Sequence, residues 1–250
     1  MTTYKEFHAR SVNDPEAFWG EEAKRIHWHR PFDRVLDYAK PPFRSWFKGG
    51  LTNLCHNAVD RHLATRADQK ALVWISTEVD QERSWTYAQL ADEVNRFAAI
   101  LQSLGVGKGD RVLIYMPMVP EAVFAMLATV RIGAIHSVVF GGFAAASLAA
   151  RIDDAQPKVM VTSDAGARGG KAIPLKPLVD ESIRLAATPP AHVVIVDRGL
   201  DKDMARVAGR DLDYAALRDK HAGAQVPVTW LESNEPSYIL YTSGTTGKPK

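Results

Sequence analysis

Apolar positions in this chain recur with two different periods, and the switch between them marks out the elements. Between residues 111 and 241, short β-branched runs alternate with longer stretches of helical spacing. Residues 111–115 (RVLIY), 134–140 (AIHSVVF), 158–162 (KVMVT), 192–197 (HVVIVD) and 237–241 (SYILY) read as strands. Residues 120–130, 144–153, 177–186 and 214–220 read as helices. The first of these opens on Pro120, whose missing N–H is no loss in a first turn. Apolar strands separated by helices need crossover connections. The pattern therefore predicts an α/β fold, with a mostly parallel sheet and helices on both faces. Ligands in such folds sit beyond the carboxyl ends of the strands.

Upstream, residues 71–75 and 83–86 predict a short hairpin. Thr86, with Gln89 three residues on, predicts a capping box. Leu90, Val94, Phe97, Ala98 and Leu101 then share one face of the helix it starts, and Gly105 stands where a C-terminal cap belongs. The first 60 residues read differently. They hold Trp19, Trp28 and Trp46, with Phe47 beside the last, and Pro31, Pro41 and Pro42. Asp14 before Pro15 predicts a helix start, and the Pro41–Pro42 pair an extended run. The expected organisation is an N-terminal segment, residues 1–60, that wraps as an arm around a larger unit at residues 61–250.

Composition narrows the function classes. Of 250 residues, 31 are Lys or Arg and 29 Asp or Glu, a net charge of +2 that gives no footprint for nucleic acid. The 46% hydrophobic share is enough for a large core and excludes a disordered chain. Cys55 stands alone, which excludes an intramolecular disulfide and a multi-cysteine zinc site and fits the cytoplasm. The N-terminus has no apolar stretch and carries Glu6, so no secretory leader is expected. Residues 132–150 lack Asp, Glu, Lys and Arg, but Gly141 and Gly142 divide them into strand, turn and helix, and no membrane association is expected. His27 and His29 flank Trp28 without a third ligand spaced for zinc, so no metal set is assigned. His136 reads as a satisfied core histidine, Cys55 as a small apolar filler lacking basic context, and residues 206–210 as a solvated loop. The oligomeric state is left open.

Three segments could carry chemistry. Residues 241–250 (YTSGTTGKPK) follow directly on a strand. Gly244 and Gly247 let backbone amides approach an anion closely. Thr242, Ser243, Thr245 and Thr246 add hydroxyl donors, and Lys248 adds charge, a combination suited to a polyphosphate. Pro249 stands where a GTPase-type phosphate loop needs its magnesium-binding hydroxyl, which argues against that loop and against an ATP-hydrolysing reading. Residues 167–171 (ARGGK) follow the strand at 158–162. Arg168 and Lys171, separated by Gly169 and Gly170, fit a phosphate clamp or, equally, a solvated basic loop. Gly141 and Gly142 close the strand at 134–140, as a site of close ligand approach or as a plain tight turn.

On these residues the chain resembles the short-chain acyl-CoA synthetases among the adenylate-forming enzymes. The ten-residue string at 241–250 is their signature. Residues 46–50 (WFKGG), 53–57 (NLCHN), 60–62 (DRH), 115–118 (YMPM) and 131–143 (RIGAIHSVVFGGF) resemble the same group, so the likeness runs the full length. Residues 163–171 (SDAGARGGK), 196–200 (VDRGL) and 230–235 (WLESNE) are most similar to the branch that activates propionate, with the acetate branch as near neighbour. The resemblance implies ATP-dependent formation of acyl-AMP and then acyl-CoA, with magnesium ion, releasing AMP and pyrophosphate. It implies that residues 242–248 hold the β and γ phosphates of ATP, and that Gly142 and residues 168–171 meet coenzyme A. Related acetate enzymes more often carry arginine where Lys171 stands. The family continues well past the position of Lys250, so these residues are expected to be the front part of an enzyme, inactive alone and without a catalytic side chain of their own. A non-catalytic nucleotide- or CoA-binding module is the competing expectation.

Overall fold

The computed structural model of the chain describes residues 3–242. Helix α1 (Tyr4–Asn13) opens on a capping box. The Glu6 amide donates to the Thr3 hydroxyl, and the Glu6 carboxylate accepts from the Thr3 amide at 2.8 Å. Asp14 caps α2 (Pro15–Glu22) by accepting from Ala17 N, with Pro15 in the first turn. Strands β1 (Arg34–Lys40) and β2 (Phe43–Lys48) pair antiparallel, so Pro41–Pro42 turns the chain back rather than extending it. Neither proline can donate to a strand ladder, and the tip of a hairpin asks for no such donor. β3 (Leu51–Thr52), α3 (Leu54–Ala58) and α4 (Leu63–Arg66) follow. The hairpin β4 (Lys70–Ser76) and β5 (Gln81–Thr86) then leads into α5 (Tyr87–Ser103), which starts on the Thr86–Gln89 capping box.

From there the alternating pattern takes over. In order come β6 (Arg111–Met116), α6 (Pro120–Arg131), β7 (Ile135–Phe140), α7 (Ala145–Ala155) and β8 (Val159–Ser163). Next are β9 (Ala165–Arg168), β10 (Lys171–Pro174), α8 (Lys176–Leu185), β11 (His192–Val196), β12 (Asp211–Asp213) and α9 (Tyr214–Lys220). β13 (Leu231–Glu232) and β14 (Tyr238–Ile239) close the described chain. Six strands form one sheet in the order β12-β11-β8-β6-β7-β14, every neighbouring pair parallel. Val112, Ile114, Val161 and Val194 face α5 and α6, while Leu113, Tyr115, Met160 and Ile195 face α7 and α8. Each large apolar side chain buried this way contributes about 1.5–3 kcal/mol, and the two-sided covering is what holds the parallel sheet. Among the described residues no helix is long and apolar enough to cross a membrane.

The N-terminal segment is stitched to this core rather than laid over it. β3 pairs antiparallel with β13. Buried Asn53 donates to Val130 O at 2.7 Å and Thr229 O at 2.9 Å. Arg131 of α6, also buried, is bound by both oxygens of Asp60 at 2.8 and 2.9 Å.

Three expectations need correction, those for residues 165–174, His136 and residues 206–210. Residues 165–174 are a two-stranded hairpin, not a loop. His136 is half-buried, stacks on Tyr238 and leaves a buried Nδ1 without a partner, so it is no satisfied core histidine. Cys55 is buried in the apolar core, and folding brings it the basic neighbour its sequence context lacks: Arg131 Nη1 lies 3.6 Å from its sulfur. Arg206 and Arg210 are not solvated free charges. Arg206 pairs with Asp197 and Asp213, and Arg210 with Asp180 and Asp211.

Candidate functional site

The carboxyl ends of β6, β7, β8 and β14 define one rim of the sheet, because parallel strands all point the same way. At the end of β7 the chain turns through Gly141 and Gly142 to Phe143. Phe143 N donates to Phe140 O at 3.1 Å, which closes the turn. The phenol of Tyr115, on β6, donates to the carbonyls of Gly141 and Phe143 at 3.3 and 2.9 Å. Burial raises that phenol's pKa, so it stays a donor. A Cβ on Gly141 would stand 3.4 Å from Met116 O, and one on Gly142 would stand 2.5 Å from the Phe140 ring. At Gly141 a Cβ would make ordinary contact, whereas at Gly142 it would displace the exposed Phe140 ring.

The basic segment rises from the neighbouring strand end. Gly169 and Gly170, at φ 57° and 73°, form a two-residue turn with both centres left-handed. The turn sets Arg168 directly across from Lys171, both exposed, and among the described residues neither enters an ion pair. The base of the hairpin is clasped by Asp164, which is fully buried. Its backbone carbonyl accepts from Leu175 N at 2.9 Å, and its Oδ2 accepts from Leu200 N at 2.7 Å and Asp201 N at 3.2 Å. Arg198 adds a bond to Ala165 O at 2.9 Å. A Cβ on Gly166 would lie 3.9 Å from Pro117, so the hairpin and the 141–143 turn both stand against the Met116–Pro117 end of β6.

The third segment enters the same rim. β14 pairs in parallel with β7, Tyr238 beside His136 and Ile239 beside Ser137, and so delivers Tyr241 and Thr242 next to the glycine turn. The Tyr241 phenol meets Asp154 Oδ2 of α7 at 2.5 Å. Burial and that carboxylate raise its pKa. Ser243, Gly244, Thr245, Thr246, Gly247 and Lys248 lie outside the described residues.

Asp164, Arg198, Tyr115, Arg151 and Asp154 were not singled out in the sequence. Arg151 left a trace there. It is a charge on the face of α7 that otherwise buries Leu148, Ile152 and Ala155. Two surface hollows lie elsewhere, of about 430 Å³ beside α8 and about 470 Å³ between β5, α5 and α9. Much of the charge in their walls is taken up by internal pairs, Lys176 with Asp180 and Arg218 with Glu93. Among the described residues no group of three or more His, Cys, Asp or Glu fits a metal ion.

With this geometry in hand, the relatives are informative. Residues 59–250 match the AMP-binding enzyme family, and residues 4–58 match the acetyl-coenzyme A synthetase N-terminus. The chain belongs to the AMP-binding enzyme family. It is 62% identical to propionate–CoA ligase of Salmonella typhimurium and 60% identical to that of Escherichia coli, over 99% of this chain and 39% of each of those proteins. It is 47% identical to acetyl-coenzyme A synthetase of Xanthobacter autotrophicus, over 99% of this chain and 38% of that protein. Acetoacetyl-CoA synthetase from Streptomyces lividans has the same fold over 100% of this chain and 38% of its own, at a TM-score of 0.88 and 32% identity. The chain thus spans about two-fifths of the length of these AMP-binding enzymes.

Proposed function

We propose that these residues are the front part of a cytoplasmic ligase that activates a short-chain carboxylate, propionate in the first instance, to its CoA thioester. The observation that supports this is the parallel pairing of β14 with β7, which carries the chain up to Thr242 toward the same sheet rim as the glycine turn and the basic hairpin. In the first step a carboxylate oxygen attacks the α-phosphorus of ATP. A new P–O bond forms, the bond to the β-phosphate oxygen breaks, and pyrophosphate leaves acyl-AMP behind. An anion must approach a tetra-anion here, so the barrier is largely electrostatic. Thr242, Ser243, Thr245, Thr246 and Lys248 would carry the departing diphosphate, with Gly244 and Gly247 allowing the turn. In the second step the CoA sulfur attacks the acyl carbon, the C–O bond to AMP breaks, and the thiol proton goes to solvent. Gly142 would leave room for CoA, and Arg168 and Lys171, which flank Gly169 and Gly170 and enter no ion pair among the described residues, would meet one of its phosphates. Among the described residues no group of three or more His, Cys, Asp or Glu fits a magnesium ion.

The division into a segment at 1–60 and an adenylation unit at 61–250 belongs to the same proposal. The 250 residues alone carry no assigned catalytic side chain and are expected to form no thioester. The test uses the full reading frame that contains them. Propionate-dependent exchange of pyrophosphate into ATP, and CoA thioester formation, are the expected results. Replacing Lys248, Thr245 and Thr246 by alanine should cost at least about 10²-fold in exchange, the scale of one lost oxyanion donor. A variant that exchanges as well as its parent overturns the reading. Comparing kcat/KM for acetate and propionate settles the acyl preference. One methylene is worth about 1–3 kcal/mol in such pockets, so overlap between the two acids is expected.

A further inference from the structure

α7 carries a buried arginine that neither step above uses. Arg151 is 7% exposed, and its Nη1 donates to Ser147 O at 2.7 Å. Among the described residues no carboxylate pairs with it. Two ring faces stand in for one. Its guanidinium carbon lies 4.5 Å from the centre of the Phe143 ring and 5.2 Å from the centre of the Tyr241 ring. A desolvated cation without a counter-ion is costly unless something answers its charge, and aromatic faces do so. The two rings make no ring contact with each other and come from different parts of the chain. Phe143 ends the glycine turn whose carbonyls Tyr115 holds. Tyr241 is the root of the phosphate loop, and its other end is fixed by Asp154, three residues along the same helix from Arg151.

We infer that Arg151 is a positioning residue that couples the 141–143 turn to the root of the 242–248 loop. The inference rests on the proposed function, in which those segments meet CoA and the ATP phosphates. Both rings lie within cation–π reach of the same guanidinium, so a shift of either changes the contact that the other shares with it. α7 is the rigid element that sets their spacing. The planar fork matters as well as the charge, because an ammonium is a point charge that offers no plane to stack.

The experiment separates the two half-reactions in the full-length enzyme. Pyrophosphate exchange is run with propionate and ATP and no CoA, and thioester formation is run with CoA varied. Arg151→Lys is expected to raise KM for ATP in the first and for CoA in the second, each by about three- to thirtyfold, the range from a weak to a desolvated cation–π contact. Phe143→Leu, on the CoA side, is expected to raise KM for ATP in the exchange assay although no CoA is present. In the Arg151→Lys background, Phe143→Leu should add nothing further. A purely structural role for Arg151 would lower Tm and the active fraction and leave both KM values where they were. If Arg151→Lys fails to accumulate, a cycle of Phe143→Leu and Tyr241→Leu asks the same question of two rings that do not touch. Non-multiplicative effects on KM for ATP support the coupling. An unchanged KM for ATP in Phe143→Leu, or effects that simply multiply in the double variant, overturns the inference while the proposed function stands. A parent enzyme without exchange activity overturns both.

Discussion

Asp60 decides how firmly the N-terminal segment is held, because its carboxylate is the sole ionic partner of Arg131 among the described residues. The Arg131 side chain is 7% exposed, so Asp60→Asn leaves a nearly desolvated guanidinium with the Val226 carbonyl and the Cys55 sulfur for company. Breaking such a pair from one side costs about 3–5 kcal/mol. A clear fall in the urea midpoint is expected, and an unchanged midpoint would show that water reaches Arg131. Cys55 reports on the same place. Burial pushes its thiol up to about 12, against the opposing pull of Arg131. Iodoacetamide at pH 8 should therefore label it far more slowly in the native protein than in urea. His136 supplies a pH signature. Burial lowers its pKa from 6.5 to about 4, so the folded state holds it neutral while the unfolded state takes up a proton first. Its contribution to stability is whole above pH 6.5 and is lost as pH falls toward 4. The urea midpoint should drop over that window, and His136→Asn should flatten that part of the profile.

At the scale of elements, what could be read from the sequence was what local chemistry decides. The five apolar runs from 111 to 241 are strands in the structure, the last shorter than its pattern, because continuous β-branched sequence has few other uses. The capping box at Thr86 and the cap at Gly105, with φ 80°, were legible for the same reason. β3 and β13 were not, since two-residue strands exist through their partners rather than their sequence. Nor was the β9–β10 hairpin. Its first strand, Ala165–Arg168, is made of residues with poor strand preference, and what holds it is the clasp at Asp164. The candidate site was half legible. Its glycines and cations announced themselves, whereas Tyr115, Arg151 and Asp164 act through neighbours far away in the chain. The hairpin turn offers a clean test of that local geometry. A Cβ on Gly170 meets nothing within 4 Å, so Gly170→Ala suffers backbone strain alone, about 1–2 kcal/mol. Gly170→Asn should recover most of it, since asparagine tolerates φ above zero. Gly133→Ala should cost more than either. At φ 74° it has the same strain, and its Cβ would stand 2.9 Å from Thr229. Thermal denaturation of the three variants gives the order, and equal shifts would refute it.

At the scale of the whole molecule, the sheet is covered unevenly, and that has a consequence for the 250-residue chain on its own. α5 and α6 bury one face of β6 and β8, but the same face of β7 and β14 is open. Parallel register places Val138 beside Ile114, yet Ile114 is fully buried and Val138 is 38% exposed. Phe140 and Leu240, further along that face, are 70% and 67% exposed. Among the described residues β14 is also the edge strand, which adds unpaired backbone groups to an apolar surface. Contiguous apolar surface next to an open edge drives association between chains. Expressed by itself, the chain should bind 8-anilinonaphthalene-1-sulfonate and elute as mixed larger species that grow with concentration. Charges placed on that face, Val138→Lys with Leu240→Glu, should shift the elution toward a single monomer peak. They touch neither α5 nor α6, so the far-ultraviolet circular dichroism should stay the same. A wild-type chain that remains monomeric at high concentration without binding the dye would mean that the face is covered from within.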